Sequence, residues 1–332
     1  MESILRALVV NKNKEHFSVA MKNITMDQLP KDDVVVKVHY SSINYKDALA
    51  CMPDGKIVNT YPFIPGIDLA GVVVSSADDR FKQGDQVIAT GYGIGVNHYG
   101  GFCEYASIPG DWIVPLPDEL TFKEAMIYGT AGFTAALAIN KLEQNGMTPE
   151  KGPVLVTGAT GGVGTTAVAM LSKLGYDVTA STGKSSQTEY LKQLGATAVK
   201  PRSAIYDGKI KALDKTQFAA AIDPVGGAQL ASLISKIAYG GTVAVCGLTG
   251  GSKIPTTVFP FILRGINLLG IDSVYCPMPL RKTIWKRMAS ELKDSQKLSM
   301  IKKEIAFQAL PDILPKLLEG STVGRIIVNI NE

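Results

Sequence analysis

The sequence predicts an α/β protein with two domains: a β-rich domain and a domain built on a doubly wound parallel sheet. Its 332 residues suit two domains of roughly 100–200 residues each. Residues 1–124 show short strand patterns between frequent glycine and proline turns, whereas residues 125–268 alternate short apolar runs with segments of helical period. The first texture is typical of a small barrel or sandwich, and the second indicates parallel strands joined by crossover helices.

The clearest strand pattern of the β-rich region lies at residues 34–41, VVVKVHYS. Val34, Val36 and Val38 alternate with more polar neighbours such as Lys37, which is the period of a half-buried strand. Turn signals such as Gly84-Asp85 cut the rest of this region into further short strands.

Strand and helix patterns alternate through residues 125–268, after a first predicted helix. Such alternation predicts a parallel sheet covered by helices. The predicted elements run in the order helix Ala125–Leu142, strand Val154–Thr157, helix Val163–Leu174, strand Val178–Ser181, helix Gln187–Leu194, strand Ala219–Ile222, helix Gln229–Ile237 and strand Thr242–Cys246.

The last region predicts an amphipathic helix around residues 280–292, a shorter helix over Pro311–Leu318 and a closing strand over Arg325–Ile330. A closing strand needs a sheet to join, and the β-rich region is its natural host. We therefore expect one discontinuous domain, residues 1–124 and 269–332, around a cofactor domain of residues 125–268.

Composition and charge narrow the class of protein. The net charge is only +4 and the sequence has no run of like charges, so it does not predict a surface that binds nucleic acid. No apolar run reaches the roughly 18–20 residues that a membrane-spanning helix needs. The four cysteines are far apart, which argues against a disulfide framework and fits a reducing compartment. Because the sequence also turns polar after Val10, without a signal-peptide pattern, we expect a cytoplasmic protein.

The strongest chemical signal is the stretch VLVTGATGGVGTT at residues 154–166, where a strand runs through a glycine-rich turn into a helix. Against the dinucleotide pattern G-x-G-x-x-G, Ala159 replaces the first glycine, Gly161 admits a pyrophosphate and Gly164 allows close helix–strand packing. The alternative is a tight turn that binds no nucleotide. The turn predicts cofactor contacts at Thr160, Gly161, Gly162, Val163 and Gly164.

The end of the next strand selects the nucleotide. An NAD site places a carboxylate about twenty residues past the glycines, but here the strand ends Ser181-Thr182-Gly183-Lys184. Hydroxyls and a lysine favour a 2′-phosphate, so these four residues predict NADPH as cofactor. Arg202 supplies a second cation or, alternatively, is a solvated loop arginine.

Several strings together resemble the medium-chain dehydrogenase/reductase superfamily, and within it the YhdH/YhfP-type quinone oxidoreductase branch, which includes NADPH-dependent acrylyl-CoA reductases. They cover nearly the whole chain: SSINYKDALA at 41–50, PFIPGIDLAGVV at 62–73, GGFCEYA at 100–106, GTAGFTAALA at 129–138, GATGGVG at 158–164, YGGTVAVCGLTGG at 239–251 and FPFILRGINLLGIDSV at 259–274. The resemblance implies a GroES-like catalytic domain, a Rossmann cofactor domain and a homodimer paired through residues 266–271.

The resemblance also implies a reductase without a metal. Zinc-dependent relatives have cysteine where this chain has Asn44, histidine at Ile67, an acidic residue at Asp68 and a further cysteine near Ile127. Asp68 alone matches, and one carboxylate falls short of the three protein ligands of a catalytic zinc.

By resemblance, the stretch from Asn44 to Asp47 faces the nicotinamide, which makes Asn44, Tyr45, Asp47 and Asp68 the candidate catalytic residues. Asn44 or Tyr45 would donate to a developing oxyanion while Asp47 orients neighbours. The alternatives are that Asn44 holds a backbone turn, that Tyr45 packs, and that Asp47 caps a helix or forms a salt bridge. The resemblance assigns no proton donor.

Other assignments from the resemblance concern the cofactor. Further predicted contacts are Thr130, Gly247, Leu248, Ile271, Ser273 and, near the phosphates, Arg325. His98 is an outside candidate for the cleft. A basic helix, Arg281 to Arg287, either binds the phosphates of coenzyme A or is a solvated face.

We therefore expect an NADPH-dependent, zinc-free reductase of the activated C=C of a small enoyl thioester such as acrylyl-CoA. An NADPH:quinone or enone reductase using the same site is the alternative. A non-catalytic nucleotide-binding protein is the alternative of another class, but the polar stretch Asn44–Asp47 disfavours it. The expected partner is a small molecule, with neither nucleic acid nor membrane.

Overall fold

The computed structural model describes residues 4–13 and 16–332, which divide into two compact units. The β-rich unit comprises the chain up to Thr130 with Val274–Trp285 and Lys302–Glu332, and the parallel-sheet unit comprises Ala131–Ser273 and Lys286–Ile301. The predicted domain boundaries at 124 and 268 stay predictions.

The described residues form strands and helices along the whole chain. The strands are β1 (Ile4–Lys12), β2 (Phe17–Thr25), β3 (Val34–Ile43), β4 (Asp68–Ser76), β5 (Gln86–Thr90), β6 (Tyr105–Ile108), β7 (Ile113–Pro115), β8 (Val154–Val156), β9 (Val178–Thr182), β10 (Ala198–Pro201), β11 (Phe218–Asp223), β12 (Ile237–Val245), β13 (Asn267–Gly270), β14 (Lys302–Ala306) and β15 (Arg325–Asn329). The α-helices are α1 (Tyr45–Ala50), α2 (Phe122–Gln144), α3 (Gly162–Lys173), α4 (Thr188–Gln193), α5 (Arg202–Ile205), α6 (Gly227–Ile234), α7 (Phe259–Arg264), α8 (Met278–Ala289), α9 (Ser295–Ile301) and α10 (Leu310–Leu318).

The β-rich unit is built on a sheet in the order β14-β15-β3-β4-β5-β7, with β6 also paired to β3, beside the β1-β2 hairpin. The predicted alternation of β3 is confirmed, because Val34, Val36 and Val38 are buried while Lys37 is exposed. A register shift between Val38 and Tyr40 then breaks the alternation. The last residues of β3 are consequently buried together, Ser41 and Ser42 among them.

The predicted closing strand is also confirmed. Strand β15 pairs antiparallel with β3, opposite residues 40–43. Its Ile326 and Val328 join the apolar core of the β-rich unit. This pairing brings Arg325 to the end of β3 that leads into α1.

The parallel-sheet unit has six parallel strands in the order β10-β9-β8-β11-β12-β13, which confirms the predicted Rossmann-like sheet. Strand β8 is fully buried along its length, as expected for a strand covered on both faces. One assignment was wrong: Ile237, predicted to end a helix, begins β12, because it pairs with Phe218 of β11.

Within residues 4–13 and 16–332, the helices are too short or too polar to span a bilayer.

Candidate functional site

Asp68 is the centre of a buried polar cluster in the β-rich unit. Its carboxylate is 0% exposed and accepts hydrogen bonds from Ser42 Oγ (2.6 Å), Asn44 Nδ2 (2.7 Å), Thr130 N (3.0 Å) and Thr130 Oγ1 (2.5 Å). Arg325 Nη2 lies 3.5 Å from Asp68 Oδ2. We call these five residues the Asp68 cluster.

Arg325 supplies the positive charge of the Asp68 cluster. Its side chain is 3% exposed and donates to Ser42 Oγ (2.7 Å), Asn44 Oδ1 (3.0 Å) and the carbonyls of Ile43 and Ile127 (both 3.1 Å). Burial lowers the pKa of the guanidinium, and the negative charge of Asp68 opposes that shift. The sequence placed Arg325 near cofactor phosphates. The structure instead commits its donors to this cluster, so we reassign it as the buried partner of Asp68.

Gly129 makes room for the Asp68 cluster. It interrupts helix α2 with φ 49° and ψ −155°. A Cβ atom there would lie 2.4 Å from Asp68 Oδ2 and 2.6 Å from both Arg325 Nη2 and Ser42 Oγ. Only glycine fits this conformation and this space. Sequence reasoning missed both Gly129 and Ser42, since nothing local marks them as neighbours of Asp68.

The start of α1 lies beside the cluster. Asn44 is the N-cap of α1, and its backbone N–H donates to Asp47 Oδ2 (2.7 Å), while Ile67 N–H donates to Asp47 Oδ1 (2.8 Å). The alternative that Asp47 caps a helix is therefore confirmed. Burial, and secondarily the charge of Asp68, raises the pKa of Asp47 to about 7.

These contacts distinguish the four candidate catalytic residues. Asp47 and Asp68 are 0% exposed. The Asn44 amide is occupied on both sides, since Nδ2 donates to Asp68 and Oδ1 accepts from Arg325. Tyr45 is 51% exposed, which makes it the member of the set available to a substrate.

The same residues do not fit a zinc ion. Asn44 and Ile67 supply no thiolate or imidazole, and the Asp68 oxygens already accept from four protein residues. Among the described residues, no group of three histidine, cysteine, aspartate or glutamate side chains has a metal-binding arrangement.

In the parallel-sheet unit, the glycine-rich turn has the geometry of a dinucleotide site. Gly161 is the N-cap of α3, which leaves the first backbone N–H groups of the helix for a phosphate. A Cβ at Gly164 would lie 2.4 Å from the Gly158 carbonyl, so a side chain would force the helix away from the turn. Gly158 has φ +54° and turns the chain two residues after the end of β8. The turn therefore fits a nucleotide phosphate.

Two cations meet at the end of β9. Thr182 Oγ1 lies 3.2 Å from Thr160 Oγ1 and accepts from Lys184 N (3.0 Å). A Cβ at Gly183 would lie 2.8 Å from Arg202 Nε, so the guanidinium packs against Gly183. Burial, and secondarily the charge of Arg202, lowers the pKa of Lys184. The structure thus brings these predicted residues together, whereas the neighbouring Ser181 side chain is buried and its hydroxyl has no partner among the described residues.

The remaining predicted cofactor residues are dispersed. Thr130 belongs to the Asp68 cluster. Gly247 and Leu248 follow β12, and Leu248 is 66% exposed. Ile271 continues from β13 and its N–H donates to Val245, with Ser273 two residues further on.

Two weaker candidates have structural roles. His98 is held by Asp32 (Nε2–Oδ2 2.7 Å) and by the Tyr99 carbonyl. Neither alternative for the basic helix α8, a phosphate site or a solvated face, holds for all of its cations. Arg281 is 0% exposed and donates to Thr90, while Arg287 pairs with Glu143.

Comparisons with known proteins agree with this architecture. The model of the alcohol dehydrogenase GroES-like domain matches residues 30–118, and that of the zinc-binding dehydrogenases matches residues 162–292. The acrylyl-CoA reductase AcuI of Ruegeria pomeroyi is 45% identical over 330 residues, which cover 99% of this chain and 100% of that protein. YhfP of Bacillus subtilis, which is named provisionally as a quinone oxidoreductase, is 58% identical over 330 residues. These cover 99% of this chain and 100% of that protein.

Two solved structures are close in backbone as well. That of Bacillus subtilis yhfP with NAD bound gives a TM-score of 0.97 at 59% identity, over 99% of this chain and 100% of that one. That of Escherichia coli K-12 YhdH with bound NADPH gives 0.94 at 45% identity, over 98% and 100%.

Proposed function

The chain belongs to the medium-chain dehydrogenase/reductase superfamily and is an oxidoreductase; from that premise we propose that it reduces the activated C=C of a small enoyl thioester with NADPH. The observation that carries the proposal is the Asp68 cluster. At the positions where zinc-dependent relatives hold a metal, this chain has a buried hydrogen-bonded cluster, and the exposed Tyr45 follows Asn44 of that cluster in the chain. The relative named acrylyl-CoA reductase, at 45% identity, supports the substrate class.

The cofactor is proposed from the end of β9. Lys184 and Arg202 offer two positive charges where an NAD site has a carboxylate, and a 2′-phosphate carries the complementary charge. The NADPH bound to Escherichia coli YhdH supports this choice. The NAD bound to Bacillus subtilis yhfP makes NADH the necessary comparison in every assay.

When bound, a reduced nicotinamide supplies the hydride for the β-carbon of the substrate. Negative charge then develops on the thioester oxygen and needs a preorganised donor. Tyr45 is the proposed donor, because Asn44 is already occupied by Asp68 and Arg325. Asp47 fixes the position of Tyr45 by capping the same helix end. The α-carbon takes a proton, so one hydride and one proton saturate the double bond.

Reduction of a quinone or an enone is the second candidate, and one observation favours it. With Arg281 buried and Arg287 paired to Glu143, the basic helix keeps Lys282 and Lys286 as its exposed cations. Coenzyme A phosphates would therefore meet a weaker site than the sequence suggested. A flat quinone needs no such cations.

Parallel assays of NADPH oxidation with acrylyl-CoA, crotonyl-CoA and a simple quinone test the proposal, each repeated with NADH. We expect acrylyl-CoA to give the highest kcat/KM, above roughly 10⁴ M⁻¹s⁻¹. A faster quinone would select the second candidate. Tyr45→Phe should lower kcat by about 10²-fold without weakening NADPH binding, and an unchanged kcat would remove Tyr45 from the mechanism.

A homodimer is proposed as the assembly. Strand β13 forms an edge of the described six-stranded sheet, and the apolar side chains Ile262 and Leu263 of nearby α7 are 69% and 56% exposed. An open strand edge with apolar neighbours favours pairing with a second copy. Light scattering should give about twice the monomer mass of 35.4 kDa, and a monomeric mass at micromolar concentration would contradict the proposal.

A further inference from the structure

Asp223 is a buried carboxylate to which the proposed reaction gives no role. It ends strand β11 and is 0% exposed. Its Oδ1 accepts from Thr157 Oγ1 (2.5 Å) and its Oδ2 from Gly226 N (2.6 Å). Both donors are neutral, and burial raises the pKa of the carboxyl while these hydrogen bonds oppose the shift.

Thr157 connects Asp223 to the glycine-rich turn. It follows β8 directly, and its backbone N–H donates to Ile222 (3.1 Å). The next residue is Gly158, whose φ of +54° directs the chain into the turn. Asp223 therefore holds the first side chain of the turn from the neighbouring strand.

The second contact of Asp223 fixes the loop after β11. Gly226 N–H is held by Asp223, and Gly250 N–H donates to Val225 O (2.7 Å), which joins this loop to the loop after β12. A Cβ at Gly247 would lie 2.3 Å from Pro224 O, so these two loops are in close contact.

Three loops are thus linked through one carboxylate at the carboxyl ends of β8, β11 and β12. Ligands of parallel α/β sheets bind at this edge. We infer that Asp223 is a positioning residue for the cofactor: it keeps the glycine-rich turn and the loops at 224–227 and 246–251 in the arrangement that binds NADPH. This inference rests on the proposed function.

The test measures NADPH dissociation constants by fluorescence and unfolding midpoints in urea for Asp223→Ala, Asp223→Asn, Thr157→Val and the double variant Asp223→Ala/Thr157→Val. Asp177→Ala is the control for a carboxylate away from the cofactor edge, because exposed Asp177 also accepts from a threonine hydroxyl, that of Thr197, but precedes β9 at the opposite edge of the sheet. Steady-state assays give KM and kcat for each variant.

We expect Asp223→Ala and Thr157→Val to weaken NADPH binding about tenfold or more, as expected when a buried partner is removed. KM for NADPH should rise, whereas kcat should stay within about twofold of the wild-type value. This is the pattern expected when cofactor binding alone is weakened. Asp223→Asn should restore part of the affinity, and the double variant should be no worse than Asp223→Ala, because the two residues act as one unit.

NADPH affinity within about twofold of wild type in folded Thr157→Val and Asp223→Asn overturns the inference, as does an equal loss in Asp177→Ala. If Asp223→Ala fails to fold, these two conservative variants decide. Wild-type protein that binds no NADPH overturns both the proposed function and this inference. Wild-type protein that binds NADPH but reduces no acceptor overturns the proposed activity alone.

Discussion

The Asp68 cluster of the β-rich unit gathers residues from four separate segments, whereas the glycine-rich turn of the parallel-sheet unit is one continuous stretch. In the cluster, side chains of Ser42, Asp68 and Arg325 satisfy one another's charge and hydrogen bonds. In the turn, the site is shaped by the backbone instead: Gly158 adopts a positive φ, and Gly164 allows the helix to approach the turn closely. Substitutions in the cluster should therefore lower the free energy of unfolding, because they leave a buried charge unpaired. Substitutions at the cofactor site should instead lower the affinity for the cofactor, because they remove contacts with it.

The largest effect is expected where the cluster loses its cation. Arg325→Met leaves Asp68 buried without its ionic partner, which should lower the free energy of unfolding by about 3–5 kcal/mol. The control is Arg6→Met, which breaks a partly exposed pair with Glu104 and should cost about 1 kcal/mol or less. Urea unfolding at pH 7 measures both. Equal losses would mean that the buried pair has no special weight.

Gly129→Ala tests the space beneath the cluster. The added Cβ meets three polar atoms within 2.6 Å, at a backbone conformation that suits glycine. We expect a loss of about 3 kcal/mol in the free energy of unfolding. Gly265→Ala has a similar φ of +58° but nothing within 4 Å of the added atom, and should cost about 1 kcal/mol. Indistinguishable urea midpoints for the two variants would contradict the crowding argument.

Asp47 caps helix α1 and is also affected by the charge of Asp68 in the cluster. The pH dependence of stability tests whether its pKa is raised as the structure indicates. With its pKa raised to about 7, the folded protein holds a proton between about pH 4 and 7 that the unfolded chain has released. Stability should therefore fall as pH rises through this window, by up to about 1.4 kcal/mol per pH unit. Asp47→Asn cannot titrate, so the stability difference between wild type and variant should decline over the same range.

Asp78 gives the opposite sign as a control. Arg80 lowers its pKa to about 2, so its contribution appears as pH rises and is lost as pH falls toward 2. Urea unfolding series from pH 2 to 8 for wild type, Asp47→Asn and Asp78→Asn would reveal both trends. A flat difference between wild type and Asp47→Asn from pH 4 to 8 would show that Asp47 is ionised throughout.

The smallest effect is expected from the continuous site. Lys184→Glu places a negative charge where a 2′-phosphate is proposed to bind, and should weaken NADPH binding about tenfold, or about 1.4 kcal/mol, with little change for NADH. Lys192→Glu, on the exposed face of α4, is the control. Titration calorimetry with both cofactors measures the preference, and unaltered NADPH affinity in Lys184→Glu would remove that lysine from the phosphate site.

Much of the fold could be predicted from local sequence patterns. These patterns are the alternation around Val36, the strand–turn–helix at Gly161 and the strand–helix order of the parallel sheet. Each could be recognised because it depends on residues within a few positions of one another. Ile237 was misassigned because it stands three residues after Ile234 and four after Leu233, so the helical spacing of apolar residues continues past the end of α6 into β12.

The sequence by itself determined the two kinds of fold and the glycine-rich turn, because backbone sterics and local spacing decide these, and its resemblance to a family predicted that the zinc ligands are missing. Only the tertiary structure decided that Arg325 and Arg281 are buried partners of protein groups, that Gly129 makes room for Asp68, and that Asp223 holds Thr157. Burial and partnership of a charge depend on which distant strands and helices come together, and that is a property of the folded chain rather than of any segment of it.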